Sequence, residues 1–270
     1  MNFGEVADRG LVLLGCGRMG GAMLEGWLAG GLDPTSVHVI DPAPSEWLTA
    51  QGVHLNGALP DAPAMLVVAV KPQLMEAALP PVSAMGGGAT VVLSIAAGTT
   101  IARFEAAFGA ETPVIRAMPN TPAAVGKGIT ALIGNAHVSE TQLGLAEALL
   151  SAVGKTVRLG DESQMDAVTA VSGSGPAYVF HLIETMAAAG AAQGLPAELA
   201  MELALTTVSG AGALAESSDE EPTQLRINVT SPNGTTQAAL EVLMDENTGF
   251  PALLNRAIGA AADRSRELGQ

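Results

Sequence analysis

The chain has 270 residues, 48% of them hydrophobic and 14% charged, which suits one large domain or two smaller ones around a sizeable core. Only 3% are aromatic, so that core is built from Ala, Val, Leu, Ile and Met. A formal net charge of −15 repels nucleic acid and anionic lipid, and with only 12 Lys and Arg an anionic ligand has to be held mainly by backbone N–H groups.

The first ten residues carry Glu5, Asp8 and Arg9, and the apolar run Leu11–Leu14 is short, so no secretory signal is expected. No uncharged apolar run reaches ~18 residues, so no membrane span is expected. The lone cysteine, Cys16, excludes an intramolecular disulfide and suits a reducing, cytoplasmic location.

From residue 11 to 160, short β-rich runs alternate with helical stretches. LVLLG (11–15), VHVID (37–41), MLVVAV (65–70), TVVLSI (90–95) and VIRAM (114–118) read as buried parallel strands, because they are continuous and β-branched. Helices are expected near 18–30, 73–84 and 100–108. ITALIG and TVRLG read as two later strands, and between them Ser139 and Gln142 form a capping box for a helix through about residue 152. This alternation predicts an α/β domain with a parallel sheet over residues 1–161.

Beyond residue 162 the strands stop, and residues 162–270 read as an all-α domain. Four helical stretches are expected, beginning near Met165, Pro196, Thr235 and Phe250, with Pro176 kinking or restarting the first. The segment ESSDEEP (216–222) reads as a solvated loop. Residues 186–215 are small and apolar on nearly every face, which predicts cover by a partner subunit.

Gly15, Gly17 and Gly20 form G-x-G-x-x-G after a predicted strand and at the start of a predicted helix, the context a dinucleotide fingerprint requires. In that reading Gly15 permits the tight turn, Gly17 lets a pyrophosphate approach the backbone, and Gly20 lets helix pack on strand. Arg18 and Met19 lie between them, where the helix N-terminus supplies N–H groups and partial positive charge. A plain glycine-rich turn is the simpler alternative. Asp41, at the end of the second strand, is placed to accept hydrogen bonds from an adenosine ribose and to repel a 2′-phosphate, which leans toward NADH over NADPH. A turn-forming Asp before Pro42 explains it almost as well. Ala69, Val70, Lys71 and Pro72, with Ala117, Pro119 and Asn120, follow strand ends and are placed to line the nicotinamide half, although Lys71 reads equally as a surface lysine.

The motifs Gly15-x-Gly17-x-Met19-Gly20, AVKP, SIAAG, RAMPNTP, VSGSGPAYVF (171–180) and VTSPNGTT (229–236) occur in the order seen in pyrroline-5-carboxylate reductases, and the chain resembles that family from about residue 11 to 268. The resemblance implies reduction of 1-pyrroline-5-carboxylate to L-proline with NADH or NADPH. It implies an N-terminal Rossmann-type domain and a C-terminal helical domain interleaved with its twin in a homodimer, with dimers often assembling into rings. Two departures stand out. Asn233-Gly234 replaces the family's usual Gly-Gly after Ser-Pro, and Asp41 stands where many members carry a small polar residue.

The substrate, a small cyclic imino acid, needs a carboxylate cradle. The turn before Thr235 and Thr236 points free N–H groups outward, and Ser231, Gly234 and Thr235 are expected to hold the carboxylate, with the Thr236 hydroxyl at the ring nitrogen. An ordinary N-cap is the plainer alternative. Ser172, in SGSGP (172–176), offers a second hydroxyl for the chemistry, unless that segment is only a kink that needs small residues. No strong acid is obligatory for hydride transfer to an imine. Lys155 is the last lysine and His181 the only histidine after 137, and the His and carboxylate positions show no metal-ligand spacing. Two rivals share the general plan: a 3-hydroxyacid dehydrogenase, against which the lysine-free second half argues, and a non-catalytic nicotinamide-nucleotide-binding dimer.

Overall fold

A computed structural model describes residues 3–269. The chain packs as two compact units, one reaching Gly173 and regaining the residues from Ala262 onward, the other Ser174–Ala261.

The first unit is a twisted eight-stranded sheet with helices packed on it. The strands are β1 (Leu11–Leu14), β2 (Val37–Ile40), β3 (His54–Leu55), β4 (Met65–Val68), β5 (Val91–Ser94), β6 (Val114–Met118), β7 (Gly128–Gly134) and β8 (Gly154–Arg158). Their order is β3-β2-β1-β4-β5-β6-β7-β8. Every residue of β1, β4 and β5 is buried, as expected for strands covered on both faces. The helices are α1 (Glu5–Arg9), α2 (Arg18–Ala29), α3 (Glu46–Thr49), α4 (Met75–Ala78), α5 (Ile101–Phe108), α6 (Glu140–Leu150) and α7 (Met165–Val168). Trp27 of α2 is fully buried and donates its indole N–H to the Leu149 carbonyl of α6 at 2.8 Å, which fixes α2 over the sheet. The Ser139–Gln142 capping box starts α6 as expected.

Several elements differ from the sequence expectation. The sheet is parallel except between β6 and β7, which run antiparallel. The connection from Met118 to Gly128 holds only a short 3-10 turn, Thr121–Val125, too short for the crossover that a parallel partner needs. The helix expected over 73–84 is broken into α4 and flanking 3-10 turns, because Pro80 and Pro81 withdraw two N–H donors. The two-residue β3 and the short α1 carry too little periodicity to have been read. The first helix of the C-terminal half is interrupted: α7 leads into a π turn, Thr169–Gly173, and α8 (Gly175–Ala192) restarts with Pro176 in its first turn.

The second unit holds α8, α9 (Ala197–Ser217), α10 (Pro222–Asn228), α11 (Thr235–Leu243) and the first part of α12 (Phe250–Leu268). The start of α10 at Pro222 and the end of α9 at Ser217 shorten the loop expected over 216–222. α8 and α9 approach closely through small residues: a Cβ added to Gly190 would lie 3.4 Å from that of Ala200. Large apolar side chains stay exposed on this unit, among them Phe180, Leu205, Leu214 and Val242. No helix among the described residues is long and apolar enough to cross a membrane.

Candidate active site

The strand order reverses between β1 and β4, the position at which open α/β sheets bind ligands beyond their carboxyl ends. The glycine-rich turn after β1 lies there. Gly15 has φ 89° and is buried, and a Cβ on it would meet Val70 Cγ1 at 2.8 Å and the Ala69 carbonyl at 3.1 Å. A Cβ on Gly20 would sit 2.4 Å from the Gly15 carbonyl oxygen, so only glycine lets α2 seat on the turn. At Gly17, the residue preceding α2, an added Cβ would meet nothing within 4 Å. The two outer glycines are thus required by packing, while the central one faces open space at a helix N-terminus that no side chain caps. That arrangement fits the pyrophosphate of a dinucleotide.

A cavity of about 580 Å³ opens beside this turn, lined among others by Cys16, Gly17, Arg18, Asp41, Ser45 and Trp47. Asp41 reaches back to the turn: its Oδ2 accepts from the Cys16 N–H at 2.7 Å and its Oδ1 from the Ala43 N–H at 2.8 Å. Asn56 holds the same residue from the other side, accepting from the Asp41 N–H at 2.9 Å and donating to its carbonyl at 2.8 Å. The carboxylate therefore sits rigidly at the cavity edge with lone pairs to spare. Burial, and next the Asp41 charge, push the Cys16 thiol up to about 11, so it stays protonated and unreactive near neutral pH. Glu25 also lines the cavity, so two acids and one arginine border its mouth.

Ser45 and Trp47 were not legible as site residues. They belong to α3 and its cap, a single turn whose position depends on the loop after β2. The remaining sequence candidates divide. Ala69 and Val70 are half-buried against Gly15, and Lys71 is exposed. Pro72 begins a 3-10 turn. Ala117 and Pro119 are buried. Asn120 is engaged at both ends of its amide, donating to the Ser172 carbonyl at 3.3 Å and accepting from the Ile129 N–H at 2.9 Å. Its observed work is to tie the π turn to β7. The Ser172 hydroxyl is buried without a hydrogen-bond partner, as is that of Thr99 in the loop after β5. A buried orphan polar atom is uncommon in native structures and calls for a missing partner. A second cavity of about 360 Å³ lies at the amino ends of β4 and β5, bordered by Ala64 and Val91. It faces the wrong end of the sheet for a dinucleotide.

In the second unit, Ser231-Pro232-Asn233-Gly234 forms a β-turn closed by the Gly234 N–H to the Ser231 carbonyl at 3.0 Å. Proline occupies its second position and Asn233 its third with φ 58°, the pattern of a type II turn. The replacement of the usual Gly by Asn233 is therefore accommodated, since Asn enters the left-handed region more readily than most residues. The Gln237 side chain accepts from the Asn233 N–H at 2.7 Å and braces the turn. Gly234 is the N-cap of α11 and brings no side-chain cap, nor is there an acidic residue in the first turn. The expectation of an ordinary Ser or Thr cap is not what forms. The first N–H groups of α11 are left for solvent or for an anion.

The family model described as pyrroline-5-carboxylate reductase dimerisation matches residues 162–268. A pyrroline-5-carboxylate reductase of Pseudomonas aeruginosa is 42% identical over 267 residues, covering 96% of this chain and 97% of that protein. A solved pyrroline-5-carboxylate reductase of Coxiella burnetii superposes with TM-score 0.89 at 33% identity, over 97% of this chain and 99% of the other. A Plasmodium falciparum pyrroline carboxylate reductase solved with NADP bound gives TM-score 0.82 at 28% identity, over 98% and 99% of the two chains. With a three-glycine turn at the sheet's reversal point, an uncapped Ser-Pro-Asn-Gly turn, and near full-length identity of this order, the chain belongs to the pyrroline-5-carboxylate reductase family.

Proposed function

We propose that this enzyme reduces 1-pyrroline-5-carboxylate to L-proline, the last step of proline biosynthesis, with a nicotinamide dinucleotide as reductant. The observation that carries the reading is the uncapped N-terminus of α11 behind the Ser231–Gly234 turn, in a chain of this family. A carboxylate can be held there without a cationic side chain, which suits a chain whose last lysine is Lys155.

Residues 1–161 are assigned to dinucleotide binding and 162–270 to substrate binding and dimerisation. When bound, the dinucleotide supplies a hydride. Gly17 and the N-terminus of α2 receive its pyrophosphate, and Asp41 accepts from the adenosine ribose hydroxyls. The rigid Asp41 carboxylate, with Glu25 nearby, disfavours a 2′-phosphate, so NADH is the preferred form. The segments Ala69–Pro72 and Ala117–Asn120 frame the nicotinamide end. Ser231 and the backbone N–H of Thr235 hold the substrate carboxylate, whereas the Gly234 N–H expected beside them is donated to the Ser231 carbonyl and closes the turn. The Thr236 hydroxyl hydrogen-bonds the ring nitrogen, and Ser172 supplies a second hydroxyl. The imine nitrogen arrives protonated or takes a proton from such a hydroxyl or from water, so placement in a water-poor cleft does most of the work.

The exposed apolar side chains of α8, α9 and α11 support a homodimer through the C-terminal helices, and rings of dimers are the further assembly the family suggests. A cytoplasmic location is inferred from the single cysteine. Neither a 3-hydroxyacid dehydrogenase nor a non-catalytic binding dimer is favoured by any observation here. The test is an absorbance assay of NADH and NADPH consumption with 1-pyrroline-5-carboxylate. Turnover with formation of proline is expected, faster with NADH. Cofactor binding without turnover would overturn the assignment.

A further inference from the structure

The chain leaves the first unit after Gly173 and regains it from Ala262 onward. The returning segment makes two specific contacts within that unit. Ser265 is only 4% exposed and donates its hydroxyl to Asp166 Oδ1 at 2.6 Å. Three residues later the backbone meets Gly98. A Cβ added to Gly98, which has φ 71°, would lie 3.2 Å from Leu268 Cβ, and one added to Gly269 would lie 3.3 Å from the Gly98 carbonyl.

These contacts fall on two particular segments. Gly98 belongs to the loop after β5, which also holds Thr99. Asp166 belongs to α7, which runs directly into the π turn holding Ser172. Among the described residues, the hydroxyls of Thr99 and Ser172 are the two buried side-chain atoms without a hydrogen-bond partner. The loop after β5 leaves the sheet at the end where the reversal-point turn lies, and the π turn is tied to the same end by Asn120, which follows β6 and donates to the Ser172 carbonyl. So one short stretch of chain, 265–269, touches both backbone segments that carry an unsatisfied buried hydroxyl.

We infer that the C-terminal turn, Ser265–Gly269, is a positioning element for catalysis: it holds the 95–99 loop and the 165–173 segment in register so that their free hydroxyls and backbone meet the nicotinamide and the ring being reduced. Ser265 and Asp166 act through the segments they brace and touch no reactant. The idea rests on the functional reading above. A loop with few regular hydrogen bonds of its own depends on such a brace: Thr99 N–H reaches the Ala96 carbonyl only at 3.5 Å. Small displacements of reacting groups cost rate steeply.

The test compares Ser265→Ala, Asp166→Ala and Asp166→Asn with the wild-type full chain. Three readouts are taken: amide hydrogen exchange of residues 95–99 and 169–173 without ligand, affinities for NADH and for ADP-ribose, and kcat against KM. The two alanine variants are expected to exchange about tenfold faster in both segments, with β1 and β4 unchanged. Their NADH affinity should fall more than their ADP-ribose affinity, and kcat should fall about tenfold or more. Asp166→Asn keeps the accepting oxygen and should restore all three. Unchanged exchange in the two segments would overturn the inference. So would a uniform loss of protection, or an equal weakening of NADH and ADP-ribose, since either marks a general structural role. If the wild-type chain turned over no imine, the functional reading would fall while the exchange data still decided the brace.

Discussion

At the scale of single residues, the site relies on backbone geometry more than on reactive side chains. Gly15 and Gly20 are dictated by contacts of 2.4–2.8 Å that a Cβ would make, whereas a Cβ on Gly17 would meet nothing within 4 Å. Asp41 shows the same economy, since its carboxylate both locks the glycine-rich turn through the Cys16 N–H and faces the cavity. Asp41→Ser should remove the repulsion of a 2′-phosphate. The ratio of kcat/KM for NADPH over NADH is expected to rise by about tenfold, equivalent to ~1.4 kcal/mol. An unchanged ratio in a two-cofactor assay would leave Asp41 as a turn residue. Thr236→Val keeps the side-chain shape and removes the hydroxyl. Imine reduction should drop about tenfold or more, the loss of one hydrogen bond to a charged group, with NADH affinity nearly intact by titration. Equal loss of both would mark Thr236 as structural.

At the scale of elements, the reversal-point turn, α2 and β4 act as one piece, because Gly15 is wedged against Ala69 and Val70 while Trp27 pins α2 to α6. A second fixed point lies under α5. Thr100 precedes that helix without offering a side-chain cap. Instead Glu162, distant in sequence, accepts from the Ile101 N–H at 3.0 Å and from Arg116 Nη1 at 2.7 Å. The Arg116 side chain is 7% exposed, so losing its partner strands a buried charge. Glu162→Ala is expected to lower stability by about 3 kcal/mol, read from chemical denaturation. A change within about 0.5 kcal/mol would mean that water or another acceptor replaces the carboxylate.

At the scale of the whole molecule, the two units differ in how far they satisfy themselves. The first buries its large apolar side chains in two clusters on the two faces of the sheet. The second leaves Leu205 53%, Leu214 55% and Val242 70% exposed, a distribution that a water-surrounded single copy would not sustain. Leu205→Glu should leave helix content unchanged and weaken self-association by at least about 2 kcal/mol, the range of a central interface residue. In sedimentation the wild type is expected to contain two or more chains, and the variant to move toward the 27.1 kDa single chain on dilution. Identical profiles would place Leu205 outside the interface.

What the amino-acid order determined by itself is local. Continuous apolar runs made five of the strands visible, the Ser139–Gln142 box announced α6, and three glycines at the right spacing marked the turn after β1. In each case the signal lies within a few residues, where periodicity and turn chemistry act directly. The family motifs added the likeness that names the reaction. What only the tertiary structure decided depends on contacts between residues far apart in the chain. The antiparallel β6–β7 pairing follows from a connection too short to cross over, and the cavity-lining Ser45 and Trp47 depend on where a single helical turn comes to rest. The Arg116–Glu162 pair and the return of Ser265 to Asp166 join positions 46 and 99 residues apart. No local pattern encodes such partners, because the free energy that selects them comes from the packing of the completed sheet.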